Sequence, residues 1–492
     1  MNSSKNIDIF NILVFSLIIV FISHFFLISF FSGSDVYDNA IWHYLGWHWF
    51  NFKDIQEINI IDNKPPGIHY LYYLSSKYFD VNFLPLKLVA IFIKVVTGFL
   101  IFKISVLLTK KKNISYIVLL LYYLLLGWEQ LDNYQPVYTE NFTSFFSTLS
   151  VYVYIKYKNL KSLILSGIFF ALGLVFKQTI LIFFLGFLIM VYFSENKKKF
   201  NSIFIILTSF FLSFLLLISF LIFEGLNFSG LINQFSFFFN LGSDTIIQIS
   251  SRIKHFLYRW TGIERNLLII LFCFFYYFVL IKKEQLPKLL FAILLLTLAG
   301  AHATGTIPGH QLIDIIPIFL ILFSLILNDL LKIDFFYKKK YVILFLLFLF
   351  FSPEFDLGRY KVYAQNYSIR DKQNLNLTEV IDFVNQEIDN KNEGIYIHER
   401  KAELLLNLKK RSISNFHVTT FLYQSYNKGV PVMRNINSVK KQLIENQPKI
   451  IILLSSYENE SPFKDKIIYF DEILKSYNLE KTIKEYDIYV KK

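Results

Sequence analysis

The sequence predicts a mostly helical membrane protein that crosses the bilayer many times and ends in a small α/β domain. The chain of 492 residues is 54% hydrophobic and only 18% charged, whereas soluble domains carry about 25% charged residues. Long apolar runs recur between residues 10 and 352, separated by clusters of lysine, as in multi-span proteins. Beyond residue 352 the chain becomes more charged, so we predict a membrane domain over 1–352 and a soluble domain over 353–492.

The net charge of +13 does not indicate nucleic-acid binding. Membrane proteins retain a surplus of Lys and Arg in their cytoplasmic loops. The chain shows no basic stripe alternating with surface aromatics, so the expected partner is the lipid bilayer and not a nucleic acid. Cys273 is the single cysteine, which excludes a disulfide within the chain. The apolar run 10–31 is too long for a signal peptide and predicts a retained first span.

Lysine clusters orient the predicted spans, because cytoplasmic loops are enriched in positive charge. With every cluster in the cytoplasm, the N-terminus lies inside and the tail lies outside the plasma (inner) membrane. The clusters lie at 110–112, 156–161, 197–199, 282–288 and 338–340. The predicted spans, about eleven in number, cover residues 10–31, 84–108, 114–131, 141–155, 162–176, 179–193, 200–223, 266–281, 289–303, 312–327 and 341–352.

The direction of every later span depends on residues 162–193. Each half of this segment gives about 22 Å of helix, which is short of the ~30 Å hydrocarbon core. If both halves formed a single helix, one of the two flanking lysine clusters would lie outside the membrane. Every later loop would then lie on the opposite side from the one that its charge predicts. We therefore predict two short helices that meet at the polar break Phe176-Lys177-Gln178-Thr179.

The predicted outer loops collect polar residues that the spans do not explain. Asp35 and Tyr37 open the first loop, and Tyr138 and Glu140 close the second. His310 lies in the fourth loop, shortly before Asp314. The loops cover residues 32–83, 132–140, 224–265 and 304–311. One face of the membrane is thus expected to carry carboxylates, a cation and an imidazole.

The first outer loop contains the segment IIDNKPPGIHYLYYL, residues 60–74. The polar trio Asp62-Asn63-Lys64 stands directly before Pro65, and proline suits the start of a helix, where its missing N–H has no cost. We predict a short amphipathic helix along the membrane interface, because amphipathic rings prefer that position. The residues expected to seat this helix in lipid are Tyr70, Tyr72 and Tyr73.

The tail alternates between strand-like and helical patterns, which predicts a small α/β domain. The expected strands are 394–398, 449–454 and 486–490. The expected helices are 377–388 and 400–409.

Several of these segments together resemble the multi-span membrane glycosyltransferases with the GT-C fold. The segments are Asp35-Val36-Tyr37, DNKPPG, Thr139-Glu140 at a span start, GLVFKQT, and Pro308-Gly309-His310 before an apolar span. The resemblance extends over most of residues 10–330 and is to relatives of the protein mannosyltransferases and of the lipid A aminoarabinose transferase (glycosyltransferase families 39 and 83). The tail is similar to the outer domain that many bacterial members carry.

The resemblance implies an inverting enzyme that takes a sugar from a polyprenyl-phosphate donor on the outer face. The acceptor, whether glycan, lipid or protein, is left open. Asp35 matches an acidic family position, which implies a general base or a metal ligand. Asn63 stands where the family often has an acidic residue, with Asp62 one residue earlier. The sequence assigns no definite cofactor, and a divalent metal stays open, with Asp62 as its candidate ligand.

The predicted site therefore combines three groups of residues. The candidate catalytic residues are Asp35 and Glu140. The candidate ligands of the donor phosphate are Lys64, His310, Lys177 and Lys94, of which Lys94 lies near mid-bilayer, where a charge marks a functional position. The candidate substrate-contacting loop residues are Asp62, Asn63, Tyr37 and Tyr138.

Each of these residues also has a structural explanation. Asp35 caps a helix in that alternative, and Glu140 is stabilised by a helix dipole. Lys64 is an interfacial anchor, Lys94 snorkels, and Lys177 joins the two short helices.

A transporter or flippase of a lipid-linked glycan is the alternative function. Such proteins show broken helices at corresponding positions of two repeated halves, whereas this sequence shows one break and no matching halves. A non-catalytic assembly subunit is a third class, but it would need no acids clustered at one membrane surface. The enzyme is therefore favoured.

Overall fold

The computed structural model describes residues 16–19, 38–53, 64–80, 82–126, 137–195, 199–228, 231, 273–303, 313–333, 377–388, 390, 393–398, 403–414, 423–425, 430–431, 433–454 and 471–492. The chain divides into two compact units. The first unit contains residues 1–32, 86–220 and 242–357, and the second contains 33–85, 221–241 and 358–492. The second unit thus joins parts of two predicted outer loops to the tail. The predicted domain boundary after residue 352 stays a prediction.

Helices dominate the described part of the chain up to residue 333. They are α1 (Asp38–Phe52), α2 (Pro66–Phe79), α3 (Leu84–Thr109), α4 (Lys112–Leu126), α5 (Thr139–Tyr157), α6 (Leu160–Leu174), α7 (Ile180–Ser194), α8 (Lys199–Phe223), α9 (Gln285–Ala303) and α10 (Ile316–Leu330), with a π-helical turn over Tyr276–Ile281. A mostly helical fold is therefore confirmed.

The helices of the first unit follow the predicted spans within a few residues. Helix α6 ends at Leu174 and helix α7 begins at Ile180, so the predicted break at Lys177 is confirmed. Within the described residues, α3 and α8 are long and apolar enough to cross a membrane on their own, and several shorter apolar helices accompany them. The count of eleven stays a prediction, because the spans 10–31 and 341–352 lie largely or wholly outside the described residues.

Small and hydroxyl-bearing residues bring the helices of the first unit close together, as is usual between membrane helices. Ser166 of α6 donates to the Ser150 carbonyl of α5 at 3.2 Å, and Ser150 donates to the Ser166 carbonyl at 3.3 Å. A Cβ added to Gly167 would lie 2.6 Å from a backbone oxygen of α8. The side chains of Asn159 and Ser162 cap the start of α6 reciprocally, which fixes the short turn after α5.

In the second unit, α1 and α2 occupy most of the described part of a segment that we predicted as an outer loop with one short helix. That prediction was wrong for α1, which is buried on nearly all sides and so lacks the polar face that would have marked a surface helix. The two helices touch at Gly46, where an added Cβ would lie 2.5 Å from the Tyr72 backbone.

The helix α2 is confirmed but is longer than expected, and two of its tyrosines, Tyr72 and Tyr73, do not lie at the membrane interface as predicted. Tyr72 and Tyr73 are fully buried within the protein, and Tyr70 stacks on Tyr73 with ring centres 5.3 Å apart. The Tyr72 hydroxyl donates to Asn39 at 3.0 Å. These rings hold α1 and α2 together, so the prediction that they seat the helix in the interface was wrong for Tyr72 and Tyr73.

The end of α8 joins the same unit through Glu224. Its carboxylate accepts from Tyr73 at 2.9 Å and from Lys53 at 3.1 Å, and its carbonyl accepts from the Trp49 indole at 2.8 Å. The Tyr73 hydrogen bond and Lys53 hold the pKa of Glu224 below its usual range. Gly225 follows with a φ of +97°, a conformation that glycine adopts without strain.

The described part of the tail contains a five-stranded sheet in the order β2-β1-β5-β7-β6, accompanied by helices. Strands β1 (Gly394–His398), β5 (Ile450–Leu454) and β7 (Tyr486–Lys491) confirm the three predicted strands. The helices α11 (377–387) and α12 (Glu403–Leu408) confirm the two predicted helices. The other elements are β2 (Arg411–Ser412), β3 (Tyr423–Ser425), β4 (Val430–Pro431), α13 (Met433–Asn446), α14 (Asp471–Leu474) and β6 (Tyr477–Ile483).

Helix α1 covers one edge of this sheet. The Tyr44 hydroxyl donates to the Lys410 carbonyl at 3.0 Å and accepts from the Ser412 N–H at 2.8 Å. Since β2 is an edge strand, Tyr44 satisfies backbone groups that an uncovered edge would expose. The α1–α2 pair and the tail are therefore one folded unit.

The buried His398 predicts that the tail loses stability in mild acid. Burial lowers the pKa of His398 from 6.5 to about 4, so the unfolded chain binds a proton at a higher pH than the folded domain does. The loss should begin as pH falls below about 6.5 and reach about 3 kcal/mol near pH 4. Hydrogen-exchange protection of β1 and β5, measured in the full-length protein between pH 7 and pH 5, checks this. His398→Gln should flatten the dependence, and an unchanged profile in that variant would contradict the assignment.

Candidate active site

The candidate site begins at the N-terminus of α5, where Thr139 and Glu140 enter the first turn. A carboxylate is favoured there by the positive end of the helix. Glu140 is nevertheless almost fully buried, and its Oε2 accepts from the Thr139 hydroxyl at 2.9 Å. Burial of a carboxylate requires a charged or hydrogen-bonding partner.

That partner is Lys177, in the break between α6 and α7. The chain turns because α6 ends at Leu174, and the N–H groups of Phe176 and Lys177 both donate to the Gly173 carbonyl at 3.1 Å. Phe176 stacks on Phe142 of α5 with ring centres 4.3 Å apart. The turn thereby directs the buried Lys177 Nζ to within 2.8 Å of Glu140 Oε1.

A second carboxylate, Asp314, lies just before α10. Its Oδ2 is 3.0 Å from Lys177 Nζ, and its Oδ1 accepts a hydrogen bond from the Thr143 hydroxyl, one turn after Thr139. In each carboxylate, therefore, one oxygen is paired with the Lys177 ammonium and the other accepts a hydrogen bond from a threonine of α5. Three separate stretches of chain meet in this network.

The network holds two carboxylates and one ammonium, a formal excess of one negative charge in a poorly solvated place. A small cavity adjoins it, lined in part by Thr143, Lys177, Thr179 and Asp314. The buried Thr179 hydroxyl has no hydrogen-bond partner among the described residues. Chemically, the cluster can hold a carboxylate in a fixed orientation and accept a proton.

Comparisons with known proteins agree with this architecture. Residues 63–223 match the family model described as dolichyl-phosphate-mannose-protein mannosyltransferase. The crystal structure of ArnT from Cupriavidus metallidurans bound to undecaprenyl phosphate is similar at 10% identity and a TM-score of 0.54, over 96% of this chain and 97% of that chain. The chain has the GT-C fold.

The apo state of the same ArnT covers the same shares of both chains at 10% identity, with a TM-score of 0.49. No curated protein sequence matches the chain. The resemblance to the GT-C relatives of the protein mannosyltransferases and the lipid A aminoarabinose transferase is confirmed. The prediction of a multi-pass membrane protein is confirmed as well.

Of the predicted site residues, Glu140 and Lys177 are brought into direct contact in this fold. Lys94 is buried on α3, and Tyr138 is buried directly before α5. Lys64, in the second unit, is partly buried just before the N-terminus of α2. Five predicted residues lie outside the described part of the chain: Asp35, Tyr37, Asp62, Asn63 and His310. The metal prediction at Asp62 therefore stays a prediction.

Asp314 and Thr143 belong to the network but were not among the predicted site residues. The signal for Asp314 was its position at the start of a predicted span, four residues after His310. Thr143 follows Glu140 by three positions, which places both on one face of a helix. Both residues were in segments that sequence reasoning had already marked.

Proposed function

We propose that the protein is an inverting membrane glycosyltransferase that moves a sugar from a polyprenyl-phosphate donor to an acceptor on the outer face of the plasma membrane. The observation that carries the proposal is the buried network of Glu140, Lys177 and Asp314. Burying three ionisable groups is costly for stability alone, and perturbed clusters of this kind concentrate at functional sites. The GT-C fold and the undecaprenyl phosphate bound to ArnT support the donor class.

The reaction is a single displacement. The acceptor hydroxyl oxygen forms a bond to the anomeric carbon, the bond from that carbon to the phosphate oxygen breaks, and the electron pair leaves with the polyprenyl phosphate. The hydroxyl proton passes to a carboxylate, for which Asp35 and Glu140 are the candidates. Lys177 and Thr139 hold Glu140 in orientation. Lys64 and His310 are the proposed ligands of the leaving phosphate, whose developing negative charge a cation would stabilise in the transition state.

The two ion pairs of Lys177 favour a role in fixing Glu140. A direct contact of Lys177 with the donor phosphate, and the corresponding role of Lys94, stay predictions.

The segments that make up the second unit support the proposal that the tail lies on the same side of the membrane as the first outer loop. Segments that touch cannot lie on opposite sides of a bilayer, so an even number of crossings must separate them. Tyr44 contacts the tail, and Lys53 contacts Glu224. Six described helices, α3 to α8, lie between α2 and Glu224. The four predicted spans between 266 and 352 also make an even number.

A transfer assay tests the function. Purified protein is given a polyprenyl phosphate that carries a radiolabelled sugar, with membranes from cells lacking the gene as the source of acceptor. The label should move to an acceptor while polyprenyl phosphate is released in equal amount. Movement of an intact lipid-linked sugar between leaflets, without cleavage of its phosphate bond, would instead identify a flippase.

Lys64→Ala is expected to weaken donor binding by about tenfold or more, the scale of a lost charge-assisted hydrogen bond. Transfer should slow with it, because the ammonium meets phosphate in both ground and transition states. Lys64→Arg should restore binding incompletely, since a planar fork replaces a point charge. Titration of the purified variants with a polyprenyl-phosphate sugar measures this. The exposed Lys112→Ala is the control, and unchanged donor affinity in both Lys64 variants would leave the motif as a structural turn.

A further inference from the structure

The first half of helix α5 is rich in polar side chains, although it is buried within the first unit. Its buried polar residues, none more than 3% exposed, are Thr139, Glu140, Asn141, Thr143, Ser144, Ser147 and Thr148. Polar side chains inside a membrane helix bundle are costly and concentrate at functional positions. The Thr143 hydroxyl donates to Asp314, and the hydroxyls of Ser147 and Thr148 donate to the Ser144 carbonyl at 3.1 Å and 2.6 Å. Most of this polar surface is therefore satisfied within the protein.

Asn141 and Ser144 differ from these residues, because their polar side-chain atoms are unpaired. Neither the amide nitrogen nor the amide oxygen of Asn141 makes a hydrogen bond to any residue that the structure describes, and the Ser144 hydroxyl makes none either. Each residue is only 2% exposed, so bulk water does not satisfy these atoms. The two residues are three positions apart and are therefore neighbours on one face of α5. Unpaired buried polar groups are unfavourable, so this pair needs a functional explanation.

We propose that Asn141 and Ser144 bind the sugar ring of the donor and select it by its hydroxyl groups. This inference rests on the proposed function and identifies the part of the donor that this face of α5 recognises. Sugar hydroxyls both donate and accept hydrogen bonds, and so they match an amide and a serine hydroxyl. A phosphate only accepts hydrogen bonds and would leave the Asn141 oxygen unpaired, while a polyprenyl chain forms none.

The position of Asn141 on α5 agrees with this role. Asn141 directly follows Glu140, the candidate base, which lies 2.8 Å from Lys177. Consecutive side chains of a helix are about 100° apart around its axis, so Asn141 points to a different side of α5 from the charged network. In the proposed displacement, the acceptor oxygen lies beside the base and attacks a carbon of the donor's sugar ring. The ring hydroxyls are therefore expected close to Glu140 and to the amide next to it.

The unpaired state of the two side chains gives the subsite its selectivity. A sugar that lacks the matching hydroxyl leaves a buried amide or serine without a partner, and sites of this kind reject such analogues strongly. The same property separates ligand binding from stability. Replacing an unpaired polar group by an apolar one of the same shape removes a cost in the unliganded protein, but it also removes the hydrogen bonds to the sugar.

Asn141→Leu and, separately, Ser144→Ala test the subsite in the purified full-length protein. The probes are undecaprenyl phosphate and the same lipid carrying mannose, glucose or N-acetylglucosamine, each titrated without acceptor. In wild type, at least one sugar should raise the affinity above that of the bare lipid. This sugar-dependent gain should fall about tenfold in Ser144→Ala and further in Asn141→Leu, on the scale of one or more lost hydrogen bonds. Affinity for the bare lipid should stay unchanged, and the thermal midpoint of each unliganded variant should be at or above that of wild type.

Ser150→Ala is the matched control, because the Ser150 hydroxyl lies on the same helix but is paired, at 3.3 Å from the Ser166 carbonyl. It should lower the thermal midpoint and leave the sugar-dependent gain unchanged. A gain that survives in Asn141→Leu would overturn the proposal, as would a lower thermal midpoint in that variant. The proposal also fails if wild type binds the bare lipid and no sugar improves its affinity. A wild type that binds none of the four lipids would instead contradict the proposed donor class, and the subsite with it.

Discussion

Replacing Lys177 with methionine is expected to abolish transfer and to destabilise the first unit. The variant keeps an unbranched apolar stem but removes the only cation paired with Glu140 and Asp314 in the described network. Two buried carboxylates would then repel each other without compensation. Breaking a buried ion pair by removing one partner typically costs about 3–5 kcal/mol. The thermal midpoint of the detergent-solubilised protein should fall clearly below that of wild type.

The effect of Lys177 on stability can be separated from its effect on transfer by making both of its carboxylate partners neutral. In the triple variant Lys177→Met, Glu140→Gln, Asp314→Asn no buried charge remains, and replacing buried ions by neutral groups is often harmless to stability. We expect its thermal midpoint to recover while transfer stays absent. The exposed Lys161→Met on α6 serves as control and should behave as wild type. A Lys177→Met protein that is as stable and as active as wild type would show that the network matters for neither property.

The membrane spans were predictable because lipid imposes simple rules. A backbone without water must satisfy its own hydrogen bonds, so each crossing is an apolar helix, and lysine clusters are expected at the cytoplasmic ends of such helices. The break at Lys177 followed from these rules, since two short helices were needed to keep the flanking clusters on one side. Its confirmation shows that the expected orientation, together with the polar residues Lys177, Gln178 and Thr179, can locate a break between two short helices.

Helix α1 and its contact with the tail were not predictable in the same way. The segment Trp42 to Trp49 is rich in aromatic and histidine residues and is buried all round, so no periodic polar face marks it as a helix. Tyr44 meets Ser412 across 368 positions of sequence. Nothing local to either residue encodes such a contact, and only the folded second unit reveals it.

Two of the three charged residues in the network could be predicted from the sequence, but their pairing and the third residue could not. Glu140 and Lys177 were singled out separately, one as a carboxylate at a span start and the other as a charge in a helix break. Their pairing needed the structure, because it depends on how α5 packs against the turn at Phe176. Asp314 was passed over because a single acid at the edge of an apolar run also suits an ordinary helix start.

Replacing Glu140 with glutamine should remove transfer while leaving the fold intact. The change keeps the shape of the side chain and removes one negative charge. Lys177 would then face Asp314 alone at 3.0 Å, so the network would become formally neutral, and the thermal midpoint should be at or above that of wild type. If Glu140 accepts the acceptor's proton, transfer should fall at least about a hundredfold. Donor affinity should change little, because the lost group acts on the acceptor.

Asp314→Asn is the matched control for Glu140→Gln, because it changes the charge of the same network by the same amount. Lys177 would keep its 2.8 Å contact with Glu140, and the candidate base would remain. We expect Asp314→Asn to retain much more transfer than Glu140→Gln, with both proteins equally stable. The comparison uses initial rates of sugar release from a polyprenyl-phosphate donor at saturating concentration. Equal losses in the two variants would show that the network acts only by holding the helices together, and full activity in Glu140→Gln would leave Asp35 as the remaining candidate base.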